Sequence, residues 1–539
     1  MCFAKQSFGR FMRFTLNYSV NASIGQLARR GMSALMIGLL FAATAGAQAK
    51  VDRCFPVVVA VDAESTIKAE GKFPKWPVTV VCDRDEIEVT CEKENGSLKV
   101  VVPADAAPGV AWLRLYDAKS ASNLVPLIVS PVEVTAEIEA NNKIDEATKA
   151  TLPTTLVGRL SKNNEVDSYR IRVESGQRLV ASVTAHQVLR SPMDAVLQLV
   201  DLKGNVLIQS EDVRGLDPQI VYQVAENTDL VLRIFAFPET PTGTVGFAGS
   251  ASFVYTIDVT TGPFIDHVWN ANKQITVFGE NIPAKPATKT RRATDISPET
   301  VYAVDSLGWS WLSTREASAD RITSADTEIK TLPVLVSGRI TEPGEVHTYT
   351  FVAKNAGKYH AEVFSKSDGF QVDSQLKVVD KQSGSQLAKK DDVGRNQFDA
   401  AIDFTAKQDG QIEVQLSDVV DGFGPRHQYE LLIREFKPAC RSTVDADHYV
   451  LQAGKTIEIP ITVNRDRGFN EQVKFTVAGL PKGVTSEPAV SEPKGESAKN
   501  VKLKLKAAEG VKFNGPIEIS GTVFQLRPMI AVKKIWLTI

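Results

Sequence analysis

The sequence predicts an all-β chain of tandem β-sandwich domains, and three observations carry that expectation. Val, Ile and Thr are abundant, while long Leu/Ala/Glu/Lys stretches of helical character are scarce. Short apolar or alternating runs recur between turn-forming and charged stretches, which is how the strands of a sandwich are spaced. One passage is also written twice. Thr151-Leu152-Pro153-Thr154-Thr155-Leu156-Val157-Gly158-Arg159-Leu160 returns 180 residues later as Thr331-Leu332-Pro333-Val334-Leu335-Val336-Ser337-Gly338-Arg339-Ile340. Both copies run on to a Glu-Val-x-x-Tyr step, Glu165 to Tyr169 and Glu345 to Tyr349, and 8 of the 21 positions from Thr151 to Ile171 are identical. A duplicated module sets architecture before any single residue does, and it argues against one central active site.

The 539 residues leave room for roughly three to five domains. Residues 1–47 read as an export signal: Arg29-Arg30 precede an apolar run from Ala34 to Ala43, and Ala45-Gly46-Ala47 fits a small-x-small cleavage site. The run is too short to span a bilayer, and no later stretch is apolar and long enough to do so. Without the signal, 57 basic residues face 64 acidic ones, a net charge of −7 that speaks against a nucleic-acid binder.

Residues 48–134 carry short strands such as Pro56–Val61, Val78–Val81 and Leu98–Val101, with Trp112–Tyr116 partly alternating, as a small sandwich requires. Residues 135–261 hold the first copy of the repeat. There Tyr169, Ile171 and Val173 alternate with Arg170 and Arg172, so the apolar set faces one core. Residues 262–326 open a third unit, and its Pro-, Ala- and Lys/Arg-rich stretch 283–298 reads as a flexible surface insertion. Residues 327–437 hold the second copy, where Tyr349, Phe351 and Ala353 take the same alternating places. Residues 438–539 form the last unit, with clean alternation from Ile457 to Val463 and from Val473 to Val477.

The repeated units resemble the bacterial pre-peptidase C-terminal (PPC) domain, a jelly-roll-like β-sandwich appended to secreted proteases and collagenases. The resemblance rests on Gly158-Arg159 and Gly338-Arg339, on the Glu-Val-x-x-Tyr step, and on the acidic turns Glu211-Asp212 and Asp391-Asp392. The wider chain resembles large secreted proteins of planctomycete-type bacteria, in which such domains alternate with immunoglobulin-like units. Pro108-Gly109-Val110-Ala111-Trp112-Leu113-Arg114 and the linker Glu137-Ile138-Glu139-Ala140-Asn141-Asn142 carry that likeness, with Ala140 standing where the linker pattern has proline. The implied order is immunoglobulin-like, PPC-like, immunoglobulin-like, PPC-like, immunoglobulin-like.

No G-x-S-x-G elbow, H-E-x-x-H helix or Gly-rich phosphate loop occurs in the chain. The six histidines, His186, His267, His347, His360, His427 and His448, sit singly with no partner motif. Calcium is the sharpest chemical expectation, since it takes six to eight oxygen ligands from flexible segments. The linker offers four oxygen-bearing side chains in six residues, and Asp167 lies just before Tyr169. Collagen-binding relatives of the domain share calcium between such a linker and an acidic loop, which makes Glu137, Glu139, Asn141, Asn142 and Asp167 the candidate ligands. At the 180-residue offset Glu137, Glu139 and Asn141 become Ala317, Ala319 and Arg321, and Asp167 becomes His347, so the second copy lacks the set. Cys54, Cys82, Cys91 and Cys440 are the disulfide candidates of an exported chain. Trp309 and Trp311, two apart on one strand face, are a candidate stacking platform for a sugar, with the core of the third unit as the alternative. The expected function is a non-catalytic scaffold or binding protein of the cell envelope, engaging protein or polysaccharide and no nucleic acid. An accessory part of a secreted serine or metalloprotease system is the alternative.

Overall fold

The computed structural model describes residues 50–73, 75–239, 246–316, 318–394, 397–523 and 529–539. The expected export signal and Ala317 lie outside them. The described chain is built from strands, with one four-residue α-helix, His186–Leu189, and a few single 3-10 turns. The all-β expectation holds. Among the described residues no helix is long and apolar enough to cross a membrane.

The first sandwich pairs a sheet holding Lys50–Phe55, Ala63–Lys72, Ser97–Val102 and Glu88–Cys91 with one holding Val58–Ala60, Val125–Ser130, Gly109–Tyr116 and Thr79–Cys82. Period-two alternation sends Leu98 and Val100, and Leu113 and Leu115, into the shared core. Each copy of the repeat is a full sandwich with its own core, centred on Leu156, Tyr169 and Ile171 in one and on Val336, Tyr349 and Phe351 in the other. The fifth unit is a fourth independent core around Ile459, Phe475 and Leu503.

The third unit departs from the expected immunoglobulin-like sandwich. It is a two-stranded sheet, Phe264–Ala271 with Gln274–Glu280, beside a three-stranded one, Thr288–Arg291, Thr300–Ala303 and Ser310–Trp311. Its apolar anchors Phe264 and Leu307 pack with Val180 of the second sandwich rather than forming a core of their own. The stretch 283–298 is also not the flexible insertion expected. Thr288–Arg291 pairs in register with Thr300–Ala303, and Thr294 Oγ1 and Ser297 Oγ donate to Asp83 Oδ2 of the first sandwich at 2.7 and 3.1 Å. Composition marked it as loop, but cross-strand pairing and these tertiary hydrogen bonds outweigh local propensity.

A linear string of domains would leave first and last apart, yet they meet. Arg114 Nη2 reaches Asp447 Oδ2 at 3.1 Å, and the rings of Tyr116 and Trp536 lie 5.2 Å apart. The repeated Gly-Arg step supplies the joint in each copy. Arg159 stacks 4.1 Å over Phe55 of the unit before it and bonds Glu70 at 2.8 Å, and Arg339 lies 5.7 Å over Phe278 of the unit before it.

All four described cysteines are free thiols, which corrects the disulfide expectation. Cys440 packs on the fifth core, while Cys54, Cys82 and Cys91 surround the first, so Cys440 belongs to a different unit from the other three. Burial pushes both Cys54 and Cys82 up to about 12. Thiolate is therefore scarce at neutral pH, and alkylation of the native chain should be slow. Iodoacetamide mass labelling should leave Cys54 unmodified in the native chain and modify it together with Cys82, Cys91 and Cys440 in guanidinium without reductant. A pair that stays protected under those conditions would show a disulfide.

Candidate metal centre

The site lies where the chain passes from the first sandwich into the second. Val134–Ala136 adds as a parallel edge strand to Thr154–Arg159, and the Glu137 N–H continues that ladder by donating to Val157 O at 2.9 Å. The ladder brings the Glu137 side chain back over Gly158, where Arg159 N donates to both of its carboxylate oxygens at 3.1 Å. The linker then bulges over 138–147 before Thr148–Ala150 joins the opposite sheet beside Tyr169. Asp167 opens the strand Asp167–Val173 and points inward with Tyr169.

This arrangement collects carboxylates. One oxygen each from Glu137, Glu139 and Asp167 lies within 4.8 Å of the others. Oxygens that share one calcium, at 2.3–2.6 Å each, are separated by at most about 5 Å. Asp167 and Asn141 are both fully buried. Asp167 Oδ2 accepts the Tyr255 hydroxyl at 2.5 Å, but its Oδ1 meets no donor. Asn141 has neither Oδ1 nor Nδ2 partnered among the described residues. A buried polar atom without a partner costs about 1–3 kcal/mol, and like charges about 4 Å apart add to that cost. The pKa shifts show the same tension. Burial first, and then the neighbouring acids, hold Glu137 and Asp167 well above the usual carboxylate range. The donor set, all hard oxygen, fits a divalent cation.

Three of the five expected ligands therefore surround one point, Glu137, Glu139 and Asp167, while Asn141 is buried with its side-chain amide unpartnered. Asn142 does other work, since its Oδ1 accepts the Val166 N–H at 3.3 Å and pins the loop that presents Asp167. Sequence reasoning missed the tyrosine pair beneath the acids, where Tyr169 and Tyr255 share a hydrogen bond of 2.8 Å. Their signal lay in the repeat itself. A β-carbon at position 158 would sit 2.3 Å from Tyr255 Oη, 2.5 Å from Glu137 Oε2 and 2.6 Å from Tyr169 Oη. The glycine of the Gly-Arg step is there because two tyrosines and a carboxylate close over it.

The second copy keeps the seat and changes its occupant. Tyr349 and Tyr429 share a hydrogen bond of 2.5 Å, and a β-carbon at Gly338 would meet Tyr429 Oη. His347 stands where Asp167 stood and bridges Tyr429 to Glu345, with Nε2 2.7 Å from Glu345 Oε1. Burial raises the Glu345 pKa, but hydrogen bonds from the Thr341 N–H and His347 outweigh it and hold it down at about 2. The correspondence drawn at a constant offset needs correction. Register aligns Ala136 with Thr323 and Lys149 with Glu328, so the segment 137–148 is answered only by 324–327. Glu137 corresponds to Ser324, and the bulge carrying the other linker ligands has no counterpart. Pairing register showed this deletion; sequence identity, which resumes only at Thr331, did not.

No family model matches the chain, and no curated protein does. Among the solved structures similar to it in part are two of known description. One is the pre-peptidase C-terminal domain of a collagenase from Bacillus anthracis, 18% identical over 22% of this chain and 100% of that one, with a TM-score of 0.17. The other is the N-terminal eight Ig domains of Down Syndrome Cell Adhesion Molecule isoform 1.30.30, 9% identical, with a TM-score of 0.14. It spans 91% of this chain, which in turn covers 60% of that one.

The other sequence candidates separate clearly. Trp309 and Trp311 have ring centroids 5.2 Å apart, but they are not buried core: Trp309 is half-buried and Trp311 is 36% exposed. Both line a cleft of about 790 Å³. The histidines are less solitary than their sequence neighbours suggested. His267 meets Asp266 at 2.7 Å, His360 meets Asp403 at 2.6 Å, and His186 lies 3.4 Å from Glu239. Some partners come from other strands, beyond the reach of any local motif.

Proposed function

We propose that this chain is an exported, non-catalytic binding or scaffold protein of the cell envelope, engaging protein or polysaccharide, with a calcium site that stiffens the joint between its first two sandwiches. The observation that carries the metal reading is the convergence of Glu137, Glu139 and Asp167, with the Asn141 Oδ1 of the same linker buried and unpartnered. Bound calcium would neutralise these acids and tie linker to sandwich. The chain's own residues prepare the place: Arg159 N orients Glu137, Tyr255 orients Asp167, and Asn142 holds the loop. Because Arg159 also grips Phe55 and Glu70, ordering the linker orders the adjoining unit with it. Rigid sandwiches joined by ordered linkers suit a protein that presents surfaces at fixed spacing.

Calcium in the millimolar range of extracellular modules should raise the melting temperature of the whole chain, and magnesium should do less because it demands a tighter octahedron. At calcium about 10–100 times Kd, linkage adds about 1.4–2.7 kcal/mol. Glu139→Ala, at an exposed position, should keep the fold and lose most of the response. A wild-type chain indifferent to calcium in scanning calorimetry would remove the site. Release of peptides from casein or gelatin by the purified chain would remove the non-catalytic reading.

A further inference from the structure

The cleft that holds Trp309 and Trp311 is assembled by the duplication. The short helix His186–Leu189 of the first copy and the turn Lys366–Asp368 of the second are the same loop, 180 residues apart, and both face this space. An aspartate fixes each. Asp217 accepts from the N–H groups of His186 and Gln187 at 2.7 and 3.3 Å, and Asp399 accepts from those of Lys366 and Ser367 at 2.8 and 3.0 Å. Between them the small third unit supplies the two indoles. Gln187 reaches across to the second copy, where a β-carbon at Gly369 would sit 2.2 Å from its Nε2.

The chemistry of the walls restricts what fits. Two of the three guanidinium groups are spent in ion pairs, Arg426 with Asp266 at 2.5 Å and Arg315 with Asp368 and, at 3.1 Å, with Glu430, while Arg214 donates to Ser182 Oγ at 3.2 Å. An anionic ligand would have to break these pairs or rely on Lys366 at the rim, facing the carboxylates of Asp266, Asp368 and Glu430 in the same walls. Apart from the ammonium of the exposed Lys366, which has no ion pair among the described residues, what remains free is uncharged. Among the described residues, the indole N–H groups of Trp309 and Trp311 have no acceptor and the exposed Gln187 amide has no partner. The edge strand Ser310–Trp311 is two residues long, too short to take up an extended peptide by strand addition. Aromatic faces stack on the C–H face of a sugar ring, and planar amides and indole N–H groups bond its hydroxyls. A cleft of about 790 Å³ is within the usual range for ligand sites.

We infer that this cleft binds an uncharged oligosaccharide, stacked on Trp311 and Trp309 and hydrogen-bonded by Gln187. The inference deepens the binding-protein reading and rests on it. The test titrates the full chain with chitohexaose, cellohexaose, xylohexaose and mannohexaose, following tryptophan fluorescence, with heparin and a random heptapeptide library alongside. At least one hexasaccharide should quench saturably and be recovered intact. Trp311→Ala should weaken that binding by about 30-fold or more, and Gln187→Ala by about fivefold. Gln187 is exposed and on another unit, so its variant keeps the test decisive if Trp311→Ala fails to fold. No quenching by any hexasaccharide, equal binding by both variants, or preference for heparin or peptide would overturn the assignment. Cleavage of a bound hexasaccharide would leave the cleft in place and overturn the non-catalytic reading instead.

Discussion

Replacing Gly158 by alanine should destabilise the second sandwich by about 3 kcal/mol and abolish its response to calcium in one step. The added methyl lies within 2.6 Å of three oxygens, and all three belong to the site. Tyr169 and Tyr255 are completely buried, so their hydroxyls have no solvent to retreat into. Moving them breaks their mutual hydrogen bond and the one to Asp167. Displacing Glu137 breaks its two bonds from Arg159 N. For a unit of this size the cost corresponds to about 10 °C in melting temperature. Gly338→Ala is the internal control. It meets Tyr429 in the same way, so it should cost the sandwich of the second copy a similar amount and leave the calcium response untouched. Calorimetry of both variants with and without calcium separates the two effects. Equal loss of the calcium response in both would show that the cation site is not where the acids converge.

Without calcium, the second sandwich should lose stability as pH rises from about 5 to 8, the reverse of the usual behaviour of carboxylates. Unfolded, Glu137 and Asp167 ionise near pH 4. Folded, burial and mutual repulsion hold their pKa values higher, so the native state binds more protons than the unfolded state across this interval. The unfolding free energy then falls with pH, by at most about 1.4 kcal/mol per pH unit for each such proton. Calcium should cancel the slope, because a neutralised site ionises without penalty and protons no longer compete for it. Asp167→Asn tests the sign. Asparagine still offers Oδ1 to Tyr255 while removing one charge, so the variant should be more stable than wild type in chelator at pH 8. It should be similar to wild type at pH 5 and unresponsive to calcium. Taking the difference between wild type and variant cancels carboxylates elsewhere. Glu345, held at about 2, has the opposite sign: its stabilisation is present above about pH 4.5 and is lost as pH falls towards 2. A wild type more stable at pH 8 than its Asp167→Asn variant in chelator would show that the acids are not crowded.

Much of this was legible along the chain. The Glu137 to Asn142 linker and Asp167 were readable as oxygen ligands because calcium sites draw on side chains close together in sequence, and Glu137, Glu139 and Asp167 converge. The double-written Thr-Leu-Pro…Gly-Arg passage announced two sandwiches, and both are present. Other features were not legible. The Tyr255 hydroxyl under Asp167 comes from 88 residues away, and no local pattern reports a contact between strands of opposite sheets. The stretch 283–298 looked like loop because Pro and Lys depress strand propensity, while its pairing and its bonds to Asp83 are supplied by neighbours distant in sequence.

What the sequence determined by itself is therefore periodic and local: strand alternation, the duplicated module, and a cluster of ligand-type side chains within one linker. Each is read from spacing, and side-chain direction in a strand follows from spacing alone. Tertiary structure decided the rest. It reduced the third unit to a connector without a core of its own, left four cysteines as free thiols, and showed by register that the second copy lacks the ligand bulge. It also brought one loop from each copy against Trp309 and Trp311. These outcomes depend on which surfaces pack together, and packing between units far apart in the chain leaves no period in the sequence for a reader to find.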